Sequence, residues 1–106
     1  METIDSGQLD KLLSRGQKTV AMFYADWCPF CKRFKPVFES VNSKYKKVLL
    51  KLNEDENPMW DKFAISVVPT VIAFEGNKIV ARKDAKMGIG LEKSDIDSLL
   101  QELKWN

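Results

Sequence analysis

The run Thr19-Val20-Ala21-Met22-Phe23-Tyr24 is almost uninterrupted in apolar character, and within a few residues a different periodicity replaces it. Such a run is what a strand buried on both faces of a sheet requires. From Phe30 onward, apolar residues return at spacings of three and four, at Phe34, Val37, Phe38, Val41 and Tyr45, which predicts an amphipathic helix. A buried strand therefore feeds directly into a helix, and the two cysteines of the chain, Cys28 and Cys31, fall at the junction. Pro36 lies inside the helical stretch and is expected to kink it.

The rest of the chain supplies partners for that strand. Asp5 or Ser6 can cap a first helix, with Gln8 completing a capping box from Asp5, Leu9, Leu12 and Leu13 on one face, and Gly16 as a stop. Val48 to Leu52 reads as a second buried strand, and the β-α-β order makes it parallel to the first. Asn57 followed by Pro58 predicts the start of a short helix reaching about Ala64. Two more strands, Thr70 to Phe74 and Lys78 to Ala81, flank a tight turn at Gly76-Asn77 and form an antiparallel hairpin. Arg82 to Leu91 reads as a loop. A last helix has a capping box in Ser94 and Asp97, with Ile96, Leu99, Leu100 and Leu103 on one side. The expected architecture is α/β with a mixed sheet, formed by residues 1–106 as one domain, since 106 residues cannot build two sizeable cores.

Several classes of chemistry are excluded or disfavoured by composition. The chain has no histidine, so it can build no Cys-His dyad and no His-containing metal site. Its formal net charge is +2, too balanced for the concentrated basic field of a nucleic-acid binder. No stretch approaches the roughly 20 apolar residues of a membrane span. Met1-Glu2-Thr3-Ile4-Asp5 carries acids where a signal peptide has positive charge, so a cytoplasmic location is expected.

Cys28-Pro29-Phe30-Cys31 at a strand-to-helix junction places the first sulfur at a helix N-terminus, where unpaired N–H groups and the dipole favour a thiolate. Cys28 is thus the expected nucleophile. Cys31, one turn on, can attack a mixed disulfide formed at Cys28 and close an internal disulfide. Pro29 suits the first turn because it has no N–H to leave unsatisfied. Two other readings compete: inert core thiols, or half of a four-thiolate zinc site completed by a second chain.

The chain resembles thioredoxins through Phe23-Tyr24-Ala25-Asp26-Trp27-Cys28-Pro29-Phe30-Cys31-Lys32, through Pro36, through Lys51-Leu52-Asn53 and through Val68-Pro69-Thr70, in order over nearly the whole chain. The resemblance implies a thioredoxin fold, with a central mixed sheet flanked by helices on both faces. It implies a protein-disulfide reductase whose partners are protein disulfides and a flavin-dependent thioredoxin reductase, with no bound cofactor and a redox-active Cys28–Cys31 pair. By the same resemblance Trp27 helps form the docking surface, Pro69 is a cis-proline, and the Val68 backbone pairs with an extended substrate segment. The expected state is a monomer.

The chain departs from the family in two places. Pro29-Phe30 replaces the usual Gly-Pro and is closer to the Pro-Tyr of glutaredoxins, so both residues are candidates for tuning the redox pair. Met22 stands where the family places a buried acid six residues before the first cysteine. Lys51 matches the family's buried lysine and is a further tuning candidate, although a lysine in an apolar strand more often reaches for solvent. Lys32, Arg33 and Lys35 either support a thiolate or form a solvated helix face. The alternatives carried forward are a glutathione-coupled, glutaredoxin-like reductase, an oxidase or isomerase on the same fold, and a non-enzymatic interaction module. Trp60 and Trp105 are assigned to packing.

Overall fold

The computed structural model describes residues 1–103, so Trp105 lies outside the described residues. Five strands form one sheet: β1 (Thr3–Ile4), β2 (Lys18–Tyr24), β3 (Lys46–Lys51), β4 (Thr70–Glu75) and β5 (Lys78–Asp84), in the order β1-β3-β2-β4-β5. β3 runs parallel to both β1 and β2, while β4 is antiparallel to β2 and β5. The sheet is mixed, as the sequence predicts. β2 is central because every residue from Thr19 to Tyr24 is buried. Consecutive side chains on a strand point to opposite faces, so both faces must be covered.

Two pairs of helices provide that cover. α1 (Ser6–Ser14) and α3 (Met59–Lys62) are joined by an ion pair between Asp10 and Lys62. Their side of the sheet holds the aromatic chain Phe23, Phe63 and Phe74, with ring centroids 5.6 and 5.3 Å apart. α2 (Pro29–Ser40) and α4 (Lys93–Glu102) pack against one another on the other side. Met22 shares its face of β2 with Tyr24, whose ring lies under the Lys35 ammonium of α2. Met22 thus fills the layer beneath the helix that follows the cysteines, and it is fully buried.

Local chemistry sets most element ends as expected. Asp5 caps α1 with the Gln8 capping box, and Gly16, at φ +76°, turns the chain away. Gly76 supplies positive φ in the hairpin turn.

Several boundaries differ from the sequence-based expectation. The two-residue β1 is too short to leave a periodic signal. α2 continues through Pro36 but ends at Ser40, leaving Tyr45 outside it. The Lys47 ammonium accounts for that ending, because it binds the carbonyls of Phe38, Glu39 and Val41 at the helix C-terminus. Tyr45 is buried, and its hydroxyl donates to Glu75 Oε2 at 2.6 Å. α3 stops at Lys62 rather than Ala64, which adopts φ +51°, although Asn57 Oδ1 does accept from the Met59 N–H. β5 extends to Asp84, so residues 82–84 belong to the sheet. α4 is capped by Glu92 with Asp95, whose carboxylate accepts from the Glu92 N–H at 2.8 Å, and not by Ser94 with Asp97. Trp60 packs against the core and donates its indole N–H to the Glu54 carbonyl at 3.0 Å.

Candidate active site

Cys28 is the N-cap of α2, in extended conformation, with Pro29 opening the helix. Its carbonyl accepts the first-turn amides of Cys31 and Lys32 at 3.1 and 3.2 Å, and its sulfur accepts from the Cys31 amide at 3.3 Å. A cysteine at this position caps the helix as a serine would. The Cys28 thiol also faces the Val68 carbonyl at 3.5 Å. The Val68–Pro69 peptide bond is cis, and β4 begins only at Thr70, so Val68 lies outside the ladder. Residues forty apart in sequence thus meet at one point, and Trp27, 61% exposed, stands beside it.

The two sulfurs occupy different environments. Both residues are buried, Cys28 at 5% and Cys31 at 1% exposed, but only Cys28 caps the helix. Burial, followed by its contact with Cys28, pushes the Cys31 thiol pKa from 9.0 up to about 12. An open cleft of about 300 Å³ reaches it, lined by Tyr24, Ala25, Asp26, Cys31, Lys32 and Lys35.

Lys51 does not occupy a buried position. Its side chain is 43% exposed, and its ammonium lies 3.2 Å from Asp26 Oδ2. Asn53 completes this cluster, accepting the Asp26 N–H at 2.9 Å and donating to its carboxylate at 3.0 Å. The Asn53 hydrogen bond, then the Lys51 ammonium, holds the Asp26 carboxyl below its ordinary 3.8. Asp26 is therefore a solvated, ionised acid at the cleft mouth and no replacement for a buried one. Met22 puts an apolar side chain at that buried position.

Phe30 has neighbours that sequence reasoning did not provide. Gly90 packs on it so closely that a Cβ there would lie 2.9 Å from Phe30 Cβ. Arg33 places its guanidinium 5.2 Å from the Phe30 ring centroid and donates to the Ile89 carbonyl. The segment 85–90 is thereby held against the start of α2, with Ala85 donating to the Pro69 carbonyl at 3.1 Å. Only its two glycines, Gly88 and Gly90, gave a signal in the sequence. Lys32 is exposed, as a solvated helix face requires.

A helix-capping cysteine, a second thiol one turn later and a neighbouring strand edge, set on this mixed sheet, define a thiol–disulfide oxidoreductase. A thioredoxin family profile matches residues 2–102. The thioredoxin of Mycoplasmoides gallisepticum is 34% identical over 99 residues, covering 92% of this chain and 95% of that protein. That of Rickettsia felis is 31% identical over 96 residues, covering 88% and 89%. The crystal structure of Chlamydomonas reinhardtii thioredoxin f2 superposes with a TM-score of 0.82 at 21% identity, covering 96% and 94%. The chain belongs to the thioredoxin family, and its reaction class is protein-disulfide reduction. Among the described residues no cluster of three or more His, Cys, Asp or Glu could hold a metal, and no helix is long and apolar enough to cross a membrane.

Proposed function

We propose that Cys28 is the attacking thiolate and Cys31 the resolving thiol in the reduction of protein disulfides. The observation that carries this is the asymmetry of the pair: both are buried, but Cys31 lies inside the first turn with its pKa raised to about 12, whereas Cys28 caps the helix with a backbone amide on its sulfur and faces the Val68 carbonyl. A thiol held protonated is a poor first nucleophile. The Cys28 thiolate attacks one substrate sulfur, forms a mixed disulfide and expels the other sulfur as a thiolate, which takes a proton from water. Cys31 then gives its proton to water in the cleft and attacks Cys28 Sγ, closing the internal disulfide and expelling the second substrate sulfur as a thiolate, which takes up a proton in turn. Two electrons pass to the substrate.

The substrate chain lies along Trp27, Val68 and Pro69, with its backbone on the Val68 edge. Pro29 and Phe30 tune the pair by fixing the first turn, and Lys51 acts on it only through Asp26. A flavin-dependent thioredoxin reductase returns the electrons. The chain works as a cytoplasmic monomer of one domain, its Cys28–Cys31 pair serving without any bound cofactor.

The test uses a model protein disulfide. Cys31→Ser should accumulate a covalent mixed disulfide on Cys28, and Cys28→Ser should lose turnover. Retained turnover in Cys28→Ser, or a mixed disulfide formed through Cys31 there, would overturn the assignment.

A further inference from the structure

Cys31 must shed a proton in the resolving step, yet Met22 puts no acid into the buried layer and Asp26, at the cleft mouth, is already ionised. The groups that can act on a Cys31 thiolate are those that share its cleft of about 300 Å³: Tyr24, Asp26, Lys32 and Lys35, with Lys51 paired to Asp26. Cys28 is its other ionisable neighbour.

Lys35 is the cation that α2 aims into this cleft. It stands four residues after Cys31, and residues at that spacing share a helix face with Cβ atoms about 5–6 Å apart. Long side chains on a helix lean towards its N-terminus, which carries the Lys35 stem back over the turn that holds Cys31. Its ammonium lies 5.2 Å from the centroid of the Tyr24 ring, another wall of the same cleft. Lys35 is half-buried, so less water screens it than screens the exposed Lys32, which as the very next residue does not share the Cys31 face.

The surrounding charges leave Lys35 available to the sulfur. Asp26 is engaged by Lys51 at 3.2 Å and by Asn53 at 3.0 Å, and Lys35 is only the last of the causes that lower its carboxyl. Among the described residues no ion pair involves Lys35.

We infer that Lys35 is a positioning residue for the resolving step: its ammonium, held over Tyr24, stabilises the Cys31 thiolate within the mixed disulfide and so speeds closure of the internal disulfide. A cation beside a thiol favours its ionised form. Cys31 gives its proton to cleft water, and the thiolate forms facing the ammonium. Its electron pair then makes the bond to Cys28 Sγ. The substrate sulfur leaves with the pair of the broken bond and takes up a proton. Lys35 keeps its own protons throughout and touches no substrate atom. The inference rests on Cys31 being the resolving thiol, as given above.

The test mixes reduced protein with one equivalent of a neutral dipyridyl disulfide under stopped flow. The first thiopyridone released reports attack by Cys28, and the second reports resolution by Cys31. Lys35→Met, which keeps the stem on Tyr24, should slow the second phase about threefold at neutral pH, because a tenfold loss of thiolate is half offset by the greater nucleophilicity of a more basic sulfur. Lys35→Glu should slow it about tenfold, and Lys35→Arg should restore most of the rate. In Lys35→Met the rise of the second-phase rate with pH should move to higher pH, and its dependence on salt should shrink. The first phase should keep close to its unaltered rate. A second phase unchanged in both Lys35→Met and Lys35→Glu would overturn the inference. Equal slowing in Lys35→Met and Lys35→Arg would also overturn it by marking packing in place of charge, as would equal slowing of both phases. Cys31→Ser should stop after the first thiopyridone; a second one released there would sink the resolving role of Cys31 itself, an outcome distinct from the failure of Lys35.

Discussion

The backbone N–H of Cys31 points at the sulfur of Cys28 from 3.3 Å, while the thiol of Cys31 itself lies buried in the first turn of the same helix. One residue thus supports its partner's sulfur through its amide and keeps its own sulfur protonated.

The raised thiol predicts how the reduced protein responds to alkali. With a pKa moved from 9.0 to about 12, Cys31 binds its proton more tightly folded than unfolded. Its contribution to stability is whole below pH 9 and is lost as pH rises towards 12. Tyr45 adds to this in the same direction, raised from 10.0 to about 12 by burial and then by its bond to Glu75. Urea midpoints of the reduced protein should fall steadily between about pH 9 and pH 12, because the unfolded chain gives up these protons at lower pH than the folded one. Tyr45→Phe should shrink the fall, and alkylation of Cys31 should lag until the same range. A midpoint that stays level to about pH 11 would refute the account.

Met22 is fully buried in β2 beneath α2, with Val20 and Tyr24 on its strand face. Met22→Asp should cost about 2–5 kcal/mol, because it both removes packing and buries a charge. Met22→Leu should cost under about 1.5 kcal/mol. Chemical denaturation of the two variants separates these outcomes, and equal losses would show that packing alone matters there.

The two glycines of the 86–90 turn are not equivalent. Both have positive φ, but a Cβ on Gly88 meets nothing within 4 Å, whereas one on Gly90 would strike Phe30 at 2.9 Å. Gly88→Ala should cost about 1 kcal/mol, the price of the left-handed backbone. Gly90→Ala should cost about 1–3 kcal/mol more through the clash. Adding Phe30→Gly to Gly90→Ala, which removes the Cβ as well as the ring carbons, should recover part of that excess, and additive losses in the double variant would argue that the contact is not the cause.

The Asp26–Lys51 pair is exposed, so its effect belongs to titration more than to stability. The Asp26 carboxyl should titrate below 3.8 by NMR, and Lys51→Met should move it up towards that value without restoring it fully, because Asn53 is the larger cause. The stabilisation the pair provides is present above pH 3.8 and fades as pH falls through the lowered pKa. High salt should weaken the Lys51 part. An Asp26 that titrates at its ordinary value in the unaltered protein would remove the cluster from the site's description.

What could be read along the chain was whatever depends on neighbours in sequence. The buried run at 19–24, the helical spacing from Phe30, the Asp5–Gln8 capping box and the Gly76-Asn77 turn all carry their physics within a few residues, and they appear where expected. The position of Cys28 at a helix N-terminus follows from the same local switch of periodicity. Boundaries failed where a distant group decided them, as when Lys47 closes the end of α2 from the next strand. The capping of α4 by Glu92 in place of Ser94 shows that two local patterns of similar strength can compete within three residues.

By itself the sequence determined an α/β chain with a strand-to-helix Cys-Pro-Phe-Cys junction, and its resemblance to thioredoxins pointed that junction to redox chemistry. Only the tertiary structure decided what surrounds that junction: Val68 brought to Cys28 across forty residues, Lys51 turned out to solvent on Asp26, and Phe30 seated on Gly90. The reason is that burial, ion pairing and close approach depend on distances between elements. These are set only when the whole sheet and both helical layers have closed around β2.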